Sequence, residues 1–439
     1  MINKLPLLVG FALAGASLAA QADFIDDSHA DVTLLNRYLN QQGTDVTGSS
    51  ANAKSFHDWG QGFEFNFKSG YTEGPVGFGL DLQAFYGVKL DSNANQGSMF
   101  PLDDGKSANE FSVLSPTFKM RFLKDELRLG TLTQNNPMLA NTDGRLYQQT
   151  NRGIQLVSRD LTDFTFTAGD INQTKIRNET NSQGMITSGG TQLSNRFLYG
   201  GADYSGLKNT TLSFWYSNLS DYYQQFYLGA KHHDDLSVGG LDSDFRAYRS
   251  LGVGGNANGD AGYATAGYYG DGISKGRINQ STLSLMESYS LDGHTFGVGA
   301  QKNTGESDFP YLDSGLNSGA DFTGPGSGAD SPALTNLQLN KFAHAGEQTW
   351  LGQYKYDFGR LGVKGLNFMA LYAHGNDIRN VHGTASEWER DLALAYVVPE
   401  GKLKGLGVTW KNAHANPDIV GQTHQEENRL YVSYVLPIW

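Results

Sequence analysis

Arginine and lysine side chains recur on the polar face of short segments in which polar and apolar residues alternate. Within residues 117–122, Lys119 and Arg121 alternate with three large apolar side chains. The same relation holds at three further positions: Arg128, Lys411 and Arg429. A guanidinium group presents a planar fork of donors that fits a carboxylate, whereas an ammonium group acts as a compact positive charge. Cations spaced along one surface therefore predict a path of weak binding sites for small anions.

The alternation itself predicts β-strands whose two faces meet different environments. The last eleven residues, RLYVSYVLPIW, place Leu430 and Val432 on one face and Arg429 and Ser433 on the other. A cation on the lipid face of a membrane strand costs about 2–4 kcal/mol near the bilayer midplane, so we expect the apolar face to contact lipid. A final strand of this kind is typical of an outer-membrane β-barrel, in which it closes the sheet.

Residues 1–22 have the pattern of a secretory signal peptide. Lys4 precedes a short apolar core, and the A-Q-A sequence at 20–22 is typical of a cleavage site. The apolar stretch is too short for a spanning helix, which needs about 18 apolar residues. We therefore expect export to the cell outer membrane, cleavage after Ala22, and a single barrel domain formed by residues 23–439.

The composition agrees with a wide all-β barrel. The chain has 439 residues, among them 55 glycines, 22 tyrosines and 24 phenylalanines, and no cysteine. At roughly 20–25 residues per strand and connection, the residues after position 22 suffice for about 16–20 strands. Long polar insertions are predicted at 236–276 and 311–332. The net charge of −12 argues against nucleic acid as a partner.

Several stretches resemble one family of substrate-specific porins. The sequence WGQGFEFNFKSGYTEGPVGFGLDLQAFYGVKLDS at 59–92 carries the most specific match, and LRLGTLTQNNPMLANTDGRLYQQTNRG at 127–153 and NRLYVSYVLPIW at 428–439 extend it. In these stretches the chain resembles the OprD-type (Occ) porins of Gram-negative outer membranes. The resemblance is slightly greater to the OccK branch of that family. The resemblance implies a transmembrane antiparallel β-barrel of 18 strands, with long extracellular loops folded into the lumen. It also implies passive, selective uptake of small carboxylate-containing solutes along a track of luminal arginine and lysine residues.

The same resemblance suggests which residues line the constriction, or eyelet, of the channel. Arg145 lies in the irregular polar segment 135–152, which in the family dips into the lumen, and it is the leading candidate. Arg152 joins the five strand cations in the basic track. The acidic and hydroxyl-bearing side of the eyelet is assigned to five positions: Tyr223, Asp308, Asp313, Asp330 and Ser331.

Two other functions stay open at this point. A general-diffusion porin would have the same strands but no solute preference, and an outer-membrane barrel hydrolase would need a nucleophile and a base on adjacent strands. The G-x-S-x-G match at 272–276 lacks the strand–turn–helix context of a serine-hydrolase site. We expect no cofactor and no metal. The expected partners are carboxylate solutes, outer-membrane lipid and lipopolysaccharide, with the monomer as the functional unit and weak oligomers left open.

Overall fold

The computed structural model describes residues 24–45, 55–94, 98–267, 276–315, 330–380, 383–419 and 422–439. The predicted signal peptide at 1–22 lies outside these residues, as does Ser274 of the G-x-S-x-G match. No helix in the described part of the chain is long and apolar enough to cross a membrane.

Eighteen antiparallel strands form one sheet that closes on itself. In chain order they are β1 His29–Asp45, β2 Phe56–Lys68, β3 Val76–Ser92, β4 Glu110–Phe122, β5 Asp125–Leu132, β6 Thr150–Ser158, β7 Phe164–Lys175, β8 Phe197–Leu207, β9 Thr210–Leu219, β10 Tyr223–Asp235, β11 Gly240–Gly252, β12 Asn279–Leu291, β13 His294–Gly305, β14 Gln348–Asp357, β15 Leu366–Asn380, β16 Gly383–Val397, β17 Gly407–Pro417 and β18 Thr423–Pro437.

The barrel closes between its first and last strands. Pairing of β1 with β18 runs from Asp31 opposite Pro437 to Asp45 opposite Thr423. The chain end is also tied to this seam, because the Trp439 indole N–H donates to Ser28 Oγ at 3.0 Å. Closure leaves no sheet edge, so the strand backbone is hydrogen-bonded within the sheet, as a hydrocarbon environment requires. The prediction of an 18-stranded barrel is confirmed.

The exposure of alternate residues distinguishes the two faces of the wall. On β4, Phe118 is 42% exposed and Lys119 only 6%. On β18, Leu430 is 42% exposed and Arg429 only 8%. The large apolar side chains therefore cover the outside, and the charged side chains point inward, where loops pack over them.

One predicted insertion is wrong. Strand β11 lies within the segment 236–276, where the sequence analysis expected a polar loop. Its outward face includes Leu241 and Phe245 but is interrupted by Ser243 and Arg249, and its inward face is strongly polar. The segment therefore lacks the apolar alternation that identified the other strands, and pairing with β10 and β12 determines its conformation.

The connections are short at one end of the barrel and long at the other. Two-residue turns include Asp292-Gly293, where both residues have positive φ, the geometry of a tight hairpin turn. Three long connections at the opposite end turn back into the barrel; their described residues are 133–149, 176–196, 306–315 and 330–347. In outer-membrane barrels the short turns face the periplasm and the long loops face outward.

The three inward connections are joined to one another. Met185 and Ile186 pair with Ser314 and Asp313 in a small two-stranded sheet, and Ala140 forms a bridge with Asp330. Their apolar residues pack on the inward faces of β7–β11 in the largest buried cluster of the described chain, which includes Met138, Met185, Phe197, Tyr223, Tyr248 and Phe309. The lumen therefore contains a packed layer of loops.

Candidate solute-binding site in the lumen

Arg145 is positioned by two apolar anchors that follow it in the 133–149 loop. Leu146 and Tyr147 are fully buried in a cluster with Leu39, Phe85 and Phe100. The Tyr147 hydroxyl also donates to Gln83 Oε1 on β3 at 2.6 Å. Because both anchors hold the loop against the wall, the neighbouring Arg145 has a defined position over β18.

Three arginines from different parts of the chain meet beside Gly144. A β-carbon on Gly144 would lie 3.1 Å from Arg429 Nη1 and 3.3 Å from Arg177 Nη1. Arg145 is the next residue, and its Nη2 lies 3.9 Å from Glu427 Oε2. We call Arg145, Arg177 and Arg429 the arginine cluster. Arg429 is an inward-facing residue of β18, whereas Arg145 and Arg177 lie in two separate loops.

The arginine cluster contains more positive than negative charge. Glu427 forms a 2.5 Å ion pair with Arg429 Nη2, whereas Arg177 donates to the neutral Thr142 hydroxyl at 3.0 Å. Burial lowers the pKa of Arg177 to about 9, and repulsion from Arg145 and Arg429 adds to this effect. Among the described residues, Glu427 is the one carboxylate in ion-pair contact with this cluster, an arrangement that an incoming anion would stabilise.

Two further cations extend this positive surface. Arg37 on β1 stacks on the Tyr431 ring, with its guanidinium carbon 4.5 Å from the ring centroid, and donates to the carbonyls of Asp143 and Arg145. Lys411 lies opposite Arg429 in the sheet. Arg37 was not predicted as a luminal residue, because it shares its strand face with leucines at 35 and 39 and alternation therefore does not reveal its orientation.

Acidic side chains stand next to the arginine cluster. Asp330 and Asp313 interact electrostatically with both Arg177 and Lys341. Burial raises the pKa of Asp313 to about 6, although Lys341 and Arg177 oppose the shift. The ammonium nitrogen of Lys341, another residue that the sequence analysis missed, lies 5.2 Å from the centroid of the Tyr311 ring. Positive and negative groups therefore alternate within this layer.

Three predicted eyelet residues have other positions. Tyr223 is fully buried in the cluster beneath the loops. Ser331 is also buried, and its hydroxyl accepts the N–H of Ala333. Asp308 binds the backbone N–H of Ala345 at 2.8 Å and the imidazole of His344 at 3.3 Å. Tyr223 and Ser331 thus have no surface to offer a solute, which corrects their prediction, and Asp308 holds a loop.

A second basic group lies toward the short-turn end. Lys119 forms a 2.6 Å ion pair with Asp81, Arg128 forms one of 2.5 Å with Glu126, and Arg121 stacks on Tyr71. These side chains lie inward as predicted, but two of the three are neutralised by acids. The unpaired positive charge of the basic track is therefore greatest at the loop layer and smaller toward the short-turn end.

Arg152 does not belong to the track. It shares its strand face with Ile154 and Leu156, which are about 40% exposed on the outside of the barrel. Arg152 stands near the long-loop end of β6, where an outward cation can reach water. The prediction that it lines the lumen is wrong, because the loop segment 135–152 ends in a strand whose parity places this residue outward.

A row of acids on β16 holds the longest loop to the wall. Glu389 accepts the backbone N–H groups of Leu339 at 2.9 Å and Asn340 at 2.7 Å. Glu387 accepts the Asn340 side-chain amide at 2.6 Å. We call Glu387, Glu389 and Asp391 the acidic row. Its spacing of two residues is visible in the sequence, although the sequence analysis did not use it.

Comparisons with known proteins agree with this architecture. Residues 22–438 match the family model described as outer membrane porin, OprD family. The chain belongs to the OprD family of outer-membrane porins. It is 34% identical to the porin-like protein GalP of Pseudomonas putida, over 99% of this chain and 98% of that protein. It is 33% identical to porin D of Pseudomonas aeruginosa, over 98% and 96% of the two chains.

Solved structures of Pseudomonas aeruginosa OprD-family channels superpose closely on this barrel. OccK8 (OprE) is 40% identical, with a TM-score of 0.85, over 95% of this chain and all of that one. OpdK with vanillate is 30% identical, with a TM-score of 0.81 and the same coverage. These relatives are channels, a different class of protein from enzymes.

Proposed function

We propose that this OprD-family porin takes up small carboxylate-containing solutes selectively and passively. The observation that supports this proposal is the arginine cluster, in which three guanidinium groups face one carboxylate within the loop layer. A solute carboxylate can accept two parallel hydrogen bonds from one guanidinium group. In a narrow, weakly screened passage such contacts favour anions over neutral molecules of equal size.

The neighbouring acids restrict which anions pass. Asp330 stands beside Arg177, so a solute meets both signs of charge over a short distance, and the fully buried Asp313 adds negative charge from beneath the surface of the passage. A carboxylate that also carries a hydroxyl or amino group can bind both, whereas a bare anion is repelled by the acids. The related OpdK has been solved with vanillate, an aromatic hydroxyl-bearing carboxylate, which supports this solute class.

The proposed setting is the outer membrane, reached after signal cleavage behind Ala22. Each barrel encloses its own lumen, and the arginine cluster is made by one chain, so we propose that the monomer is the transporting unit. No cofactor takes part, since the solute moves down its own gradient.

Uptake into liposomes tests the proposal directly. Purified protein is reconstituted, and the entry of 4-hydroxybenzoate is compared with that of 4-hydroxybenzamide, which has the same size but no charge. We expect faster entry of 4-hydroxybenzoate, after correction for leakage through protein-free liposomes. Equal rates for the two solutes would instead indicate the general-diffusion porin that the sequence left open.

A further inference from the structure

A groove lies on the outside of the barrel, on the opposite side of the wall from the lumen. It has a volume of about 460 Å³ and lies across β11–β15. Its floor is Ala300, a small outward-facing residue between larger neighbours. In the sheet register Ala300 stands opposite Leu285 on one side and Trp350 on the other, and Phe245 stands opposite Leu285.

The outward side chains of the groove become more polar, row by row, toward the long-loop end of the barrel. The next outward row contains Leu283, Lys302 and Gln348, which stand opposite one another. Beyond it, Arg249 stands opposite Ser281. An apolar floor thus leads to a lysine and then to an arginine and a hydroxyl group, all within three rows of the same sheet.

The two cations at this end have no acidic partner among the described residues. Arg249 extends across β12, where it donates to Asn279 Oδ1 at 2.7 Å and to Ser281 Oγ at 3.2 Å. Lys302 is exposed, and Asp377, the acid beside this end of the groove, accepts a hydrogen bond from Gln348. Elsewhere on the outside, Arg196 is ion-paired with Asp170 at 3.0 Å. The groove therefore combines apolar surface with two cations that form no ion pair with any described residue.

We propose that the groove binds one phosphate-bearing, acylated glycolipid of the outer leaflet, a molecule of the lipid A class. An acyl chain lies over Ala300 between Leu285 and Trp350, and a phosphate group is bound by Lys302 and Arg249. The position of the two cations supports this orientation of the lipid, because both stand next to the long connections, which face outward in such barrels. Burial of apolar surface and a charge-assisted contact would together distinguish this site from the general lipid surface.

The test uses the full-length barrel in detergent, titrated with purified lipid A and analysed by native mass spectrometry. Lys302→Gln removes one of the two phosphate contacts, and Ala300→Phe fills the floor of the groove. We expect Lys302→Gln to weaken binding by about fivefold, since a basic residue at an anionic membrane surface contributes about 1 kcal/mol. We expect Ala300→Phe to reduce the lipid-bound fraction at every concentration.

Matched controls separate these effects from general changes. Ala168→Phe makes the same substitution on the outward face of β7, away from the groove, and Lys404→Gln removes the same charge at a connection on the short-turn side. Both should bind lipid A as the unchanged protein does. Lipid A without its phosphates should bind the unchanged protein more weakly than intact lipid A binds Lys302→Gln, because that variant keeps the Arg249 contact.

Three outcomes would overturn the proposal. The first is unchanged lipid A binding in both groove variants, provided that their heat-dependent gel mobility shows folded barrels. The second is inorganic phosphate alone stabilising the barrel as strongly as lipid A, which would exclude the acyl-chain contact. The third is a dimer in the unchanged protein that Ala300→Phe dissociates, which would identify a second barrel as the occupant.

Discussion

The arginine cluster and the basic group beside Tyr71 each contain three cations, yet they differ in the carboxylates that accompany them. In the part of the chain that the structure describes, Glu427 is the one acid in ion-pair contact with the arginine cluster, whereas Asp81 and Glu126 each neutralise a cation of the lower group. The capacity to bind an anion depends on this balance. A cation already paired with an acid offers a solute little further attraction.

The first residue-scale prediction concerns Arg145. Arg145→Ala should lower the rate of carboxylate uptake by about tenfold, because a hydrogen bond to a charged group contributes roughly 1.5–3 kcal/mol. Anion preference, measured as reversal potential in planar bilayers, should fall in parallel. Arg152→Ala removes the same charge from the outside of the barrel and should leave both quantities unchanged. Unaltered selectivity in Arg145→Ala would exclude it as a selectivity residue.

The second residue-scale prediction concerns pH. Since the pKa of Asp313 is raised to about 6, this side chain carries a negative charge at pH 7.5 and is mostly neutral at pH 5. Loss of that charge leaves Arg177 and Lys341 less compensated, so anion preference should increase as the pH falls. Asp313→Asn should show the low-pH selectivity at both pH values. A variant that keeps the full pH response would assign the effect to another group.

At the scale of elements, the width of the passage depends on how the loops are held. Apolar residues anchor the 133–149 loop, whereas the acidic row holds residues 338–340 by hydrogen bonds to their backbone. Backbone N–H groups bound to a carboxylate are well satisfied, and removing the acceptor leaves them without partners inside the barrel. The acidic row is therefore expected to limit movement of the longest loop.

Glu389→Gln tests this element-scale expectation. The amide keeps one acceptor oxygen but presents an N–H group to the second backbone donor, so one of the two loop contacts is lost. Single-channel recordings should show current fluctuations several times more frequent than in the unchanged protein. Glu400→Gln, at an exposed connection, makes the same chemical change away from the loop. If its recordings matched those of Glu389→Gln, the loop contact would not be the cause.

At the scale of the whole molecule, the barrel depends on a wall that is apolar outside and polar inside. Leu430 stands at the centre of β18 and faces outward, while Ser433 on the same strand faces inward. The two positions differ in environment but share the strand that closes the barrel.

Leu430→Lys should destabilise the barrel in lipid vesicles by about 2–4 kcal/mol, the cost of a cation near the bilayer midplane. Ser433→Lys should have a much smaller effect, because the lumen is hydrated. The comparison is made by guanidinium unfolding of protein in the same vesicles. Equal destabilisation by the two substitutions would contradict the assigned orientation of β18.

Alternation along the chain was sufficient to predict the barrel, its closing strand and the luminal orientation of Lys119 and Arg429. It failed for β11, whose outward face is too polar to show the pattern, and for Arg37, whose luminal face also contains leucines. The rule is local, since the side-chain direction in a strand follows from its position alone. Where both faces of a strand have mixed polarity, alternation does not reveal which side chains point into the lumen.

The alternation of residues specifies the type of wall, because a bilayer imposes one simple constraint on every strand. Which charges meet depends on the packing of distant segments. Arg145, Arg177 and Arg429 are up to 284 positions apart (145 to 429), and they converge because two loops fold onto β18. The buried positions of Tyr223 and Ser331, and the binding of loop backbone by Glu389, likewise follow from packing between distant segments. Such contacts depend on the whole closed barrel, which no local pattern of residues encodes.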